Sequence, residues 1–410
     1  KLAAKLSDGA DLFEELERQS REYTGSPETE FKGADLTKGA TTAEIIDREE
    51  PPAIDLSHEE LFGHLYYPQA DRLANQIVAA LRAGKHIVFT GPPGTGKTEL
   101  AENVAGALLE IDNTPFTDSR LTTATADWTT FDTVGGRVPQ GASDKLVFSP
   151  GIVLERFKRN ERQQNDLLII DELNRADIDK AFGQLFTVLS GQRVQLPFER
   201  DGESVEIIPA ESFQGHNPEP HEYVVPESWR LFATMNSYDK TTLYEMSYAF
   251  MRRLAFINVA IPDLGSDRVG NDPVEFMAPY LAGWFETSPE AITSGALDSD
   301  EALPNEADVE AVVAVWQTLA TGEFTRPIGP AIVEDMLRHM NYHDGTADER
   351  LADAISGHVL SQLEGIPDRK KIVRQLCELP ELADSAAQLR ATAATMLDIS
   401  LDDGSGSSGE

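Results

Sequence analysis

One cysteine, Cys377, is the whole thiol inventory of this 410-residue chain. A lone thiol excludes an internal disulfide and any zinc cage built on thiolates. Lysine is scarce too: 12 of the 35 basic residues are lysine, against 70 Asp and Glu, for a net charge of −35. No Lys/Arg-rich run is present to clamp a nucleic-acid backbone, so direct nucleic-acid binding is not expected. No apolar run approaches the ~20 residues that span a bilayer, so no membrane segment is expected. No signal-peptide pattern opens the chain, whose first residue is lysine, as in a processed chain or a fragment. The expected compartment is the cytoplasm.

What is present is organised in blocks. The length suits two or three domains, and 40% hydrophobic residues is ordinary for a chain with buried cores. Residues 1–57 read as an acidic segment and linker. They hold one amphipathic pattern, DLFEELERQSREY, with Leu12, Phe13, Leu16 and Tyr23 on one face, and a stop at Pro51-Pro52. Residues 58–262 alternate helical and apolar strand patterns. The expected strands are HIVFT, FTDSRLTT, DLLIID, RLFATMN and LAFINVAI; the expected helices are ADRLANQIVAALRAGK, TELAENVAGALLEI and AFGQLFTVLSG. Apolar strands bounded by helices predict an α/β fold, a parallel sheet covered on both faces. Two stretches, 135–148 and 194–209, alternate around Gly or Asp-Gly turns as β-hairpin insertions. Residues 263–397 carry only helical patterns, DVEAVVAVWQTLA, GPAIVEDMLRHM, RLADAISGHVLSQL and ELADSAAQLRATAATML, and predict an all-α lid domain. Residues 398–410 read as a flexible tail.

The chemistry-bearing stretch follows the first strand: Gly91-Pro92-Pro93-Gly94-Thr95-Gly96-Lys97-Thr98-Glu99. Its spacing G-x-x-x-x-G-K-[ST] sits between a strand and a helix. Small residues let successive backbone N–H groups turn inward around an anion, and the following helix adds its positive dipole end. Lys97 is placed to reach the β- and γ-phosphates, and the Thr98 hydroxyl to sit on Mg²⁺. The spacing predicts binding of a nucleoside triphosphate.

Hydrolysis needs a carboxylate for Mg²⁺ and a group that activates water. The strand DLLIID delivers Asp171 and Glu172 to its carboxyl end, where ligands bind in open α/β sheets. Asp171 suits the metal and Glu172 the general base. The strand RLFATMN ends at Asn236, whose amide suits the attacking water and the γ-phosphate.

In this order and spacing GPPGTGKT, IIDELNRAD and ATMN resemble the AAA+ ATPases, a P-loop family, and within it the branch of MoxR-type ATPases, McrB-type restriction GTPases and dynein-like modules. TTATADWTTFDTVGG, LVFSPGIVLERF and SGQRVQLPF through VVPESWRLFATMN carry the closer match, which covers about residues 60–262 and, loosely, the lid. The resemblance implies an ATP- and Mg²⁺-dependent ring, usually a hexamer, with nucleotide between neighbouring subunits. YAFMRRLAFINV resembles the segment of the trans-acting arginine finger, at Arg252 or Arg253; Leu254 stands where the family has Phe. TRPIGPAIVEDML resembles the segment of the second sensor arginine, at Arg326, and Arg175 in ELNRAD is implied at an interface or in coupling. A MoxR-type motor remodels or assembles a protein partner, and such ATPases tend to work with von Willebrand A-domain proteins. The alternatives are an McrB-like GTP-driven restriction motor acting with a nuclease on DNA, and a nucleotide-gated scaffold with negligible turnover.

His339 and His343 share the helical spacing of a metal pair but lack a third ligand in the sequence, and a catalytic zinc needs three. The charge speaks to solvent instead. Acidic excess with little lysine resembles proteins of salt-loving archaea, in which ions screen self-repulsion. The Debye length falls from ~30 Å at 0.01 M salt to ~3 Å at 1 M, so like-charged subunits repel least at high salt. Assembly and ATPase activity should therefore rise together with salt. Sedimentation across a salt series, with and without ATP, checks this; rings that hold at low salt and dissociate at molar salt would sink the halophilic reading.

Overall fold

The computed structural model describes residues 54–401 except 55, 140–145, 215–216, 237–250, 271, 298 and 301. The expected N-terminal amphipathic helix and most of its linker, the tip of the first hairpin, residues 248–250 ahead of the paired arginines, and the tail from 402 lie outside the described residues. Every described residue lies in the unit Thr42–Glu410.

The described chain runs α1 (His58–Phe62), α2 (Ala70–Arg82), β1 (His86–Gly91), α3 (Lys97–Glu110), β2 (Ser119–Thr123) and α4 (Thr130–Thr133). A hairpin, β3 (Gly135–Pro139) and β4 (Leu146–Pro150), and a short pair, β5 (Lys158–Arg159) and β6 (Arg162–Gln163), precede β7 (Leu167–Asp171) and α5 (Ile178–Val188). A second hairpin, β8 (Val194–Arg200) and β9 (Glu203–Pro209), is followed by β10 (Glu222–Val225), β11 (Leu231–Asn236) and β12 (Leu254–Asn258).

All five expected strands pair in one parallel sheet of order β12-β1-β11-β7-β2. Alternate residues of the three inner strands, β1, β11 and β7, enter opposite cores. Ile87, Phe89, Leu167, Ile169 and Phe232 pack with α2 and α3, while Val88, Leu168, Ile170, Ala233 and Met235 pack with α5 and the hairpins. Burial on both faces is why these strands read as unbroken apolar runs. The second hairpin turns at Asp201-Gly202, both at positive φ (56° and 91°), the backbone a two-residue turn demands. β10 adds to it in parallel alongside β9.

Beyond β12 the chain is helical, with α6 (Pro273–Trp284), α7 (Glu306–Thr321), α8 (Pro330–Asn341), α9 (Ala347–Ala354), α10 (Arg369–Leu376) and α11 (Ala386–Met396). These helices keep their own apolar cluster, from Leu264 to Ile399, around the fully buried Trp316, whose indole N–H donates to the Ile328 carbonyl at 2.9 Å. Two expected helices break. After α9 the chain loosens into a π turn (Ile355–Val359), where the Ser356 hydroxyl donates to the Ala352 carbonyl and competes with the backbone ladder. Before α11, Pro380 starts a separate short 3₁₀ turn, and α11 begins only after Ser385, whose hydroxyl donates to Asp348 at 2.8 Å. The helix α6 had no counterpart among the expected elements. Pro273 opens it behind an Asp272 cap, and Pro279 inside it obscures its helical reading in the sequence.

The helical region meets the sheet at the phosphate loop. The first turn of α8 donates two backbone hydrogen bonds to that loop, Gly329 N–H to the Pro93 carbonyl (2.9 Å) and Ala331 N–H to the Gly94 carbonyl (3.0 Å).

Candidate functional site

The carboxyl ends of β1, β11 and β7 lie side by side, with Gly91 opposite Asn236, and they carry the residues singled out in the sequence. The loop from Gly91 to Gly96 wraps the start of α3. Gly96 caps that helix at φ 74°, a left-handed conformation that favours glycine. Lys97 and Thr98 then open the helix, where its free N–H groups favour an anion.

Lys97 is buried, and its ammonium donates to the carbonyls of Pro92 (2.6 Å) and Gly91 (3.2 Å). Burial pushes its pKa down to about 8, against the upward pull of Asp171 and Glu172. Thr98 Oγ1 donates to Asp171 Oδ1 at 2.6 Å, so two oxygens meet at the helix start. That donor set, a hydroxyl and a carboxylate beside a phosphate-sized cradle, fits Mg²⁺, a hard cation that prefers oxygen and keeps most of its water. Glu99, one residue on, pairs with His64 at 3.1 Å on the outer wall of the loop.

Asp171 Oδ1 also accepts from Thr234 Oγ1 at 2.7 Å, and Thr234 Oγ1 in turn accepts from the Glu172 backbone N–H at 2.9 Å. Thr234 had not been singled out. Its signal was available, a hydroxyl within the apolar strand LFATM, buried to 1% exposure. Glu172 takes a left-handed backbone, φ 51°, and heads a 3₁₀ turn, Leu173–Arg175. Its carboxylate faces Asn236 Nδ2 at 3.5 Å and forms an ion pair with Arg175 Nε.

Arg252 and Arg253 lie at the opposite end of the sheet. The Arg252 carbonyl accepts from Lys85 Nζ at 2.8 Å, and the Arg253 carbonyl from the His86 N–H at 3.1 Å. Five strand steps separate His86 from Gly91, roughly 17 Å at ~3.3 Å per residue. Neither guanidinium serves its own phosphate loop; Arg252 is exposed, and Arg253 Nε donates to the Leu189 carbonyl. Arg326 lies three residues before the Gly329 contact, and its Nε donates to the Gln362 carbonyl at 3.1 Å within the helical region.

An aromatic-walled cleft adjoins the loop, lined in part by Leu65, Tyr66, Tyr67, Tyr280, Trp284 and Ala331. Tyr67 closes one side by donating to the Thr95 carbonyl at 3.1 Å, and burial, then Glu99, pushes its hydroxyl pKa up. Gly329 touches the loop so closely that a Cβ there would lie 2.2 Å from Gly94 C. These aromatic residues and Gly329 come together only in three dimensions.

The histidine pair gains a neighbour, since His358 Nε2 lies 3.3 Å from His339 Nδ1. Both nitrogens of His343 are taken, Nε2 by Asp353 (3.0 Å) and Nδ1 by the Gly345 N–H (2.9 Å). Among the described residues no three such side chains are placed to hold a metal ion.

A parallel sheet with a phosphate loop after its first strand and an acidic pair at the end of β7, with β11 between the two, defines the P-loop nucleotide-binding class. Within that class, residues 86–254 match the model of the AAA domain, dynein-related subfamily. Among solved structures, a candidate ATPase from Cytophaga hutchinsonii is similar over 78% of this chain and 92% of its own, at 15% identity and a TM-score of 0.32. NtrX from Brucella abortus, in complex with ADP, is similar over 84% of this chain and 67% of its own, at 15% identity and a TM-score of 0.38. No curated protein matches the chain. Residues 86–254 thus have a P-loop AAA fold, and the helices from Pro273 onward follow it in the chain. No helix among the described residues is long and apolar enough to cross a membrane.

The depressed Lys97 gives a test of the cradle. In the empty site its ammonium loses a proton above about pH 8, well before free lysine does. A triphosphate brings negative charge beside it and favours the protonated form. Nucleotide binding at about pH 9 should therefore take up part of a proton, read as a dependence of binding heat on the ionisation enthalpy of the buffer. Lys97→Ala should abolish or strongly weaken binding. Heat that is independent of buffer would overturn the lowered Lys97 pKa, and wild-type affinity in Lys97→Ala would remove Lys97 from the phosphate site.

Proposed function

We propose that the chain hydrolyses ATP as a ring motor of MoxR type that remodels or assembles a protein partner. The observation that carries the reading is the convergence of Lys97, Thr98, Asp171, Glu172 and Asn236 at the carboxyl ends of three adjacent strands. Gly91, Pro92, Pro93, Gly94, Thr95 and Gly96 supply the cradle, and Lys97 its positive charge. Thr98 and Asp171 would hold Mg²⁺, which would neutralise charge on the phosphates. Glu172 takes a proton from water, and Asn236 orients that water. Thr234 holds Asp171 and the Glu172 backbone in register for both tasks.

The distance of Arg252 and Arg253 from their own loop supports a role on a neighbouring subunit, as a ring requires. The two hairpin stretches, 135–148 and 194–209, are the proposed contacts to a protein substrate. A von Willebrand A-domain protein is the proposed partner class, a hexamer the proposed ring and a haloarchaeal cytoplasm the proposed setting; the halophilic part rests on the charge alone. Arg326 is the proposed second sensor, and its Nε donates to the Gln362 carbonyl. A GTP-driven restriction motor has no comparable observation in its favour, and strong GTP selectivity in a turnover assay would reinstate it.

Glu172→Gln keeps the shape of the side chain and removes the base. It should bind Mg²⁺-ATP like the wild type and lower turnover by about 10²-fold or more; turnover within twofold of wild type would sink the assignment. The arginines are tested between subunits. Lys97→Ala mixed with Arg252→Ala or Arg253→Ala should regain activity wherever an intact cradle faces an intact arginine. Rings shown to exchange subunits, yet no more active than the average of the two parents, would place the arginine's role within its own subunit.

A further inference from the structure

The backbone of Glu172 is held firmly, but its carboxylate is not free. Asp171 before it is fixed by two hydroxyls, its own N–H is fixed by Thr234, and Leu173 after it is buried. Among the described residues two groups bond the carboxylate, and of these Asn236 stands at 3.5 Å, the outer limit of a hydrogen bond. Arg175, three residues on in the same 3₁₀ turn, makes the close contact, an ion pair from Nε to Oε2. A guanidinium stays protonated at any working pH, so it neither accepts nor relays a proton. While it holds Oε2 it draws on the lone pairs that a base must present to water.

We infer that Arg175 is a positioning residue that restrains Glu172 in a resting arrangement, and that release of this ion pair is a step of each turnover. The inference rests on Glu172 being the base. Exposure shapes the restraint: the Arg175 side chain is 58% exposed and that of Glu172 26%. Such pairs are worth little and are screened by salt, so the held population outweighs the released one only severalfold. A weak latch of this kind delays hydrolysis without blocking it. The 58% exposure also leaves Arg175 within reach of a neighbouring chain in an assembly.

The test is steady-state and single-turnover ATP hydrolysis by the full chain carrying Arg175→Gln, with assembly state checked by sedimentation and matched to wild type. The expected result is a kcat about two- to fivefold above wild type, from loss of an exposed ion pair, with KM unchanged. Arg175→Lys, which keeps the charge but not the planar guanidinium, should lie between the two. Raising salt should bring the ratio of Arg175→Gln to wild type towards one. A kcat equal to or below wild type for Arg175→Gln overturns the restraint. The double variant Glu172→Gln/Arg175→Gln separates the two readings. If it is as inactive as Glu172→Gln, the base assignment stands whatever Arg175 does; if it turns over like Arg175→Gln, Glu172 is not the base and the underlying reading fails.

Discussion

One carboxylate oxygen organises the site. Asp171 Oδ1 accepts from Thr98 on α3 and from Thr234 on β11, partners 73 and 63 residues away. Through Thr98 it pins the first turn of the helix that follows the phosphate loop. Through Thr234, which also receives the Glu172 N–H, it sets the backbone from which the proposed base projects. A polar network inside a low-dielectric core is costly when half-satisfied and rigid when complete. Moving any of the three side chains leaves a donor or acceptor unpaired, so the loop, the acidic pair and the neighbouring strand hold one geometry together.

The sheet also has an electrical direction. Lys85, Arg230, Arg252 and Arg253 stand just before β1, β11 and β12, while Asp171 ends β7 and Glu172 follows it. In a chain of net charge −35, cations gathered at one edge of the sheet create a local exception to the general repulsion.

Much of this was legible in the sequence, for two reasons. Strands covered on both faces are written as unbroken apolar runs, so HIVF, LLII and LFATM declare their class without any partner. A phosphate loop is local, with cradle, lysine and helix start within eight residues. What could not be read was set by distance in the chain. Nothing in ATMN says that Thr234 meets Asp171, and nothing in IGPAI says that Gly329 lies against Gly94. Arg175 was legible as a residue of interest, but the carboxylate it holds was not, because the contact depends on the left-handed turn at Glu172. The helix α6 stayed hidden because Pro279 sits within it, and the break after Ala354 because a serine bonding back to its own helix leaves no mark on apolar periodicity.

The two hydrogen bonds from the start of α8 reach further than their number suggests. In a trans peptide unit the carbonyl and the next N–H point in opposite directions. Holding the Pro93 and Gly94 carbonyls towards α8 therefore turns the N–H groups of Gly94 and Thr95 away from it. The dipoles of the loop are thus aimed by a helix some 230 residues downstream. A rotation of the helical region pulls on those two carbonyls and re-aims the amides behind them. Grip on an anion and the angle between the two parts of the chain become a single coordinate, like a clutch whose plates are peptide planes.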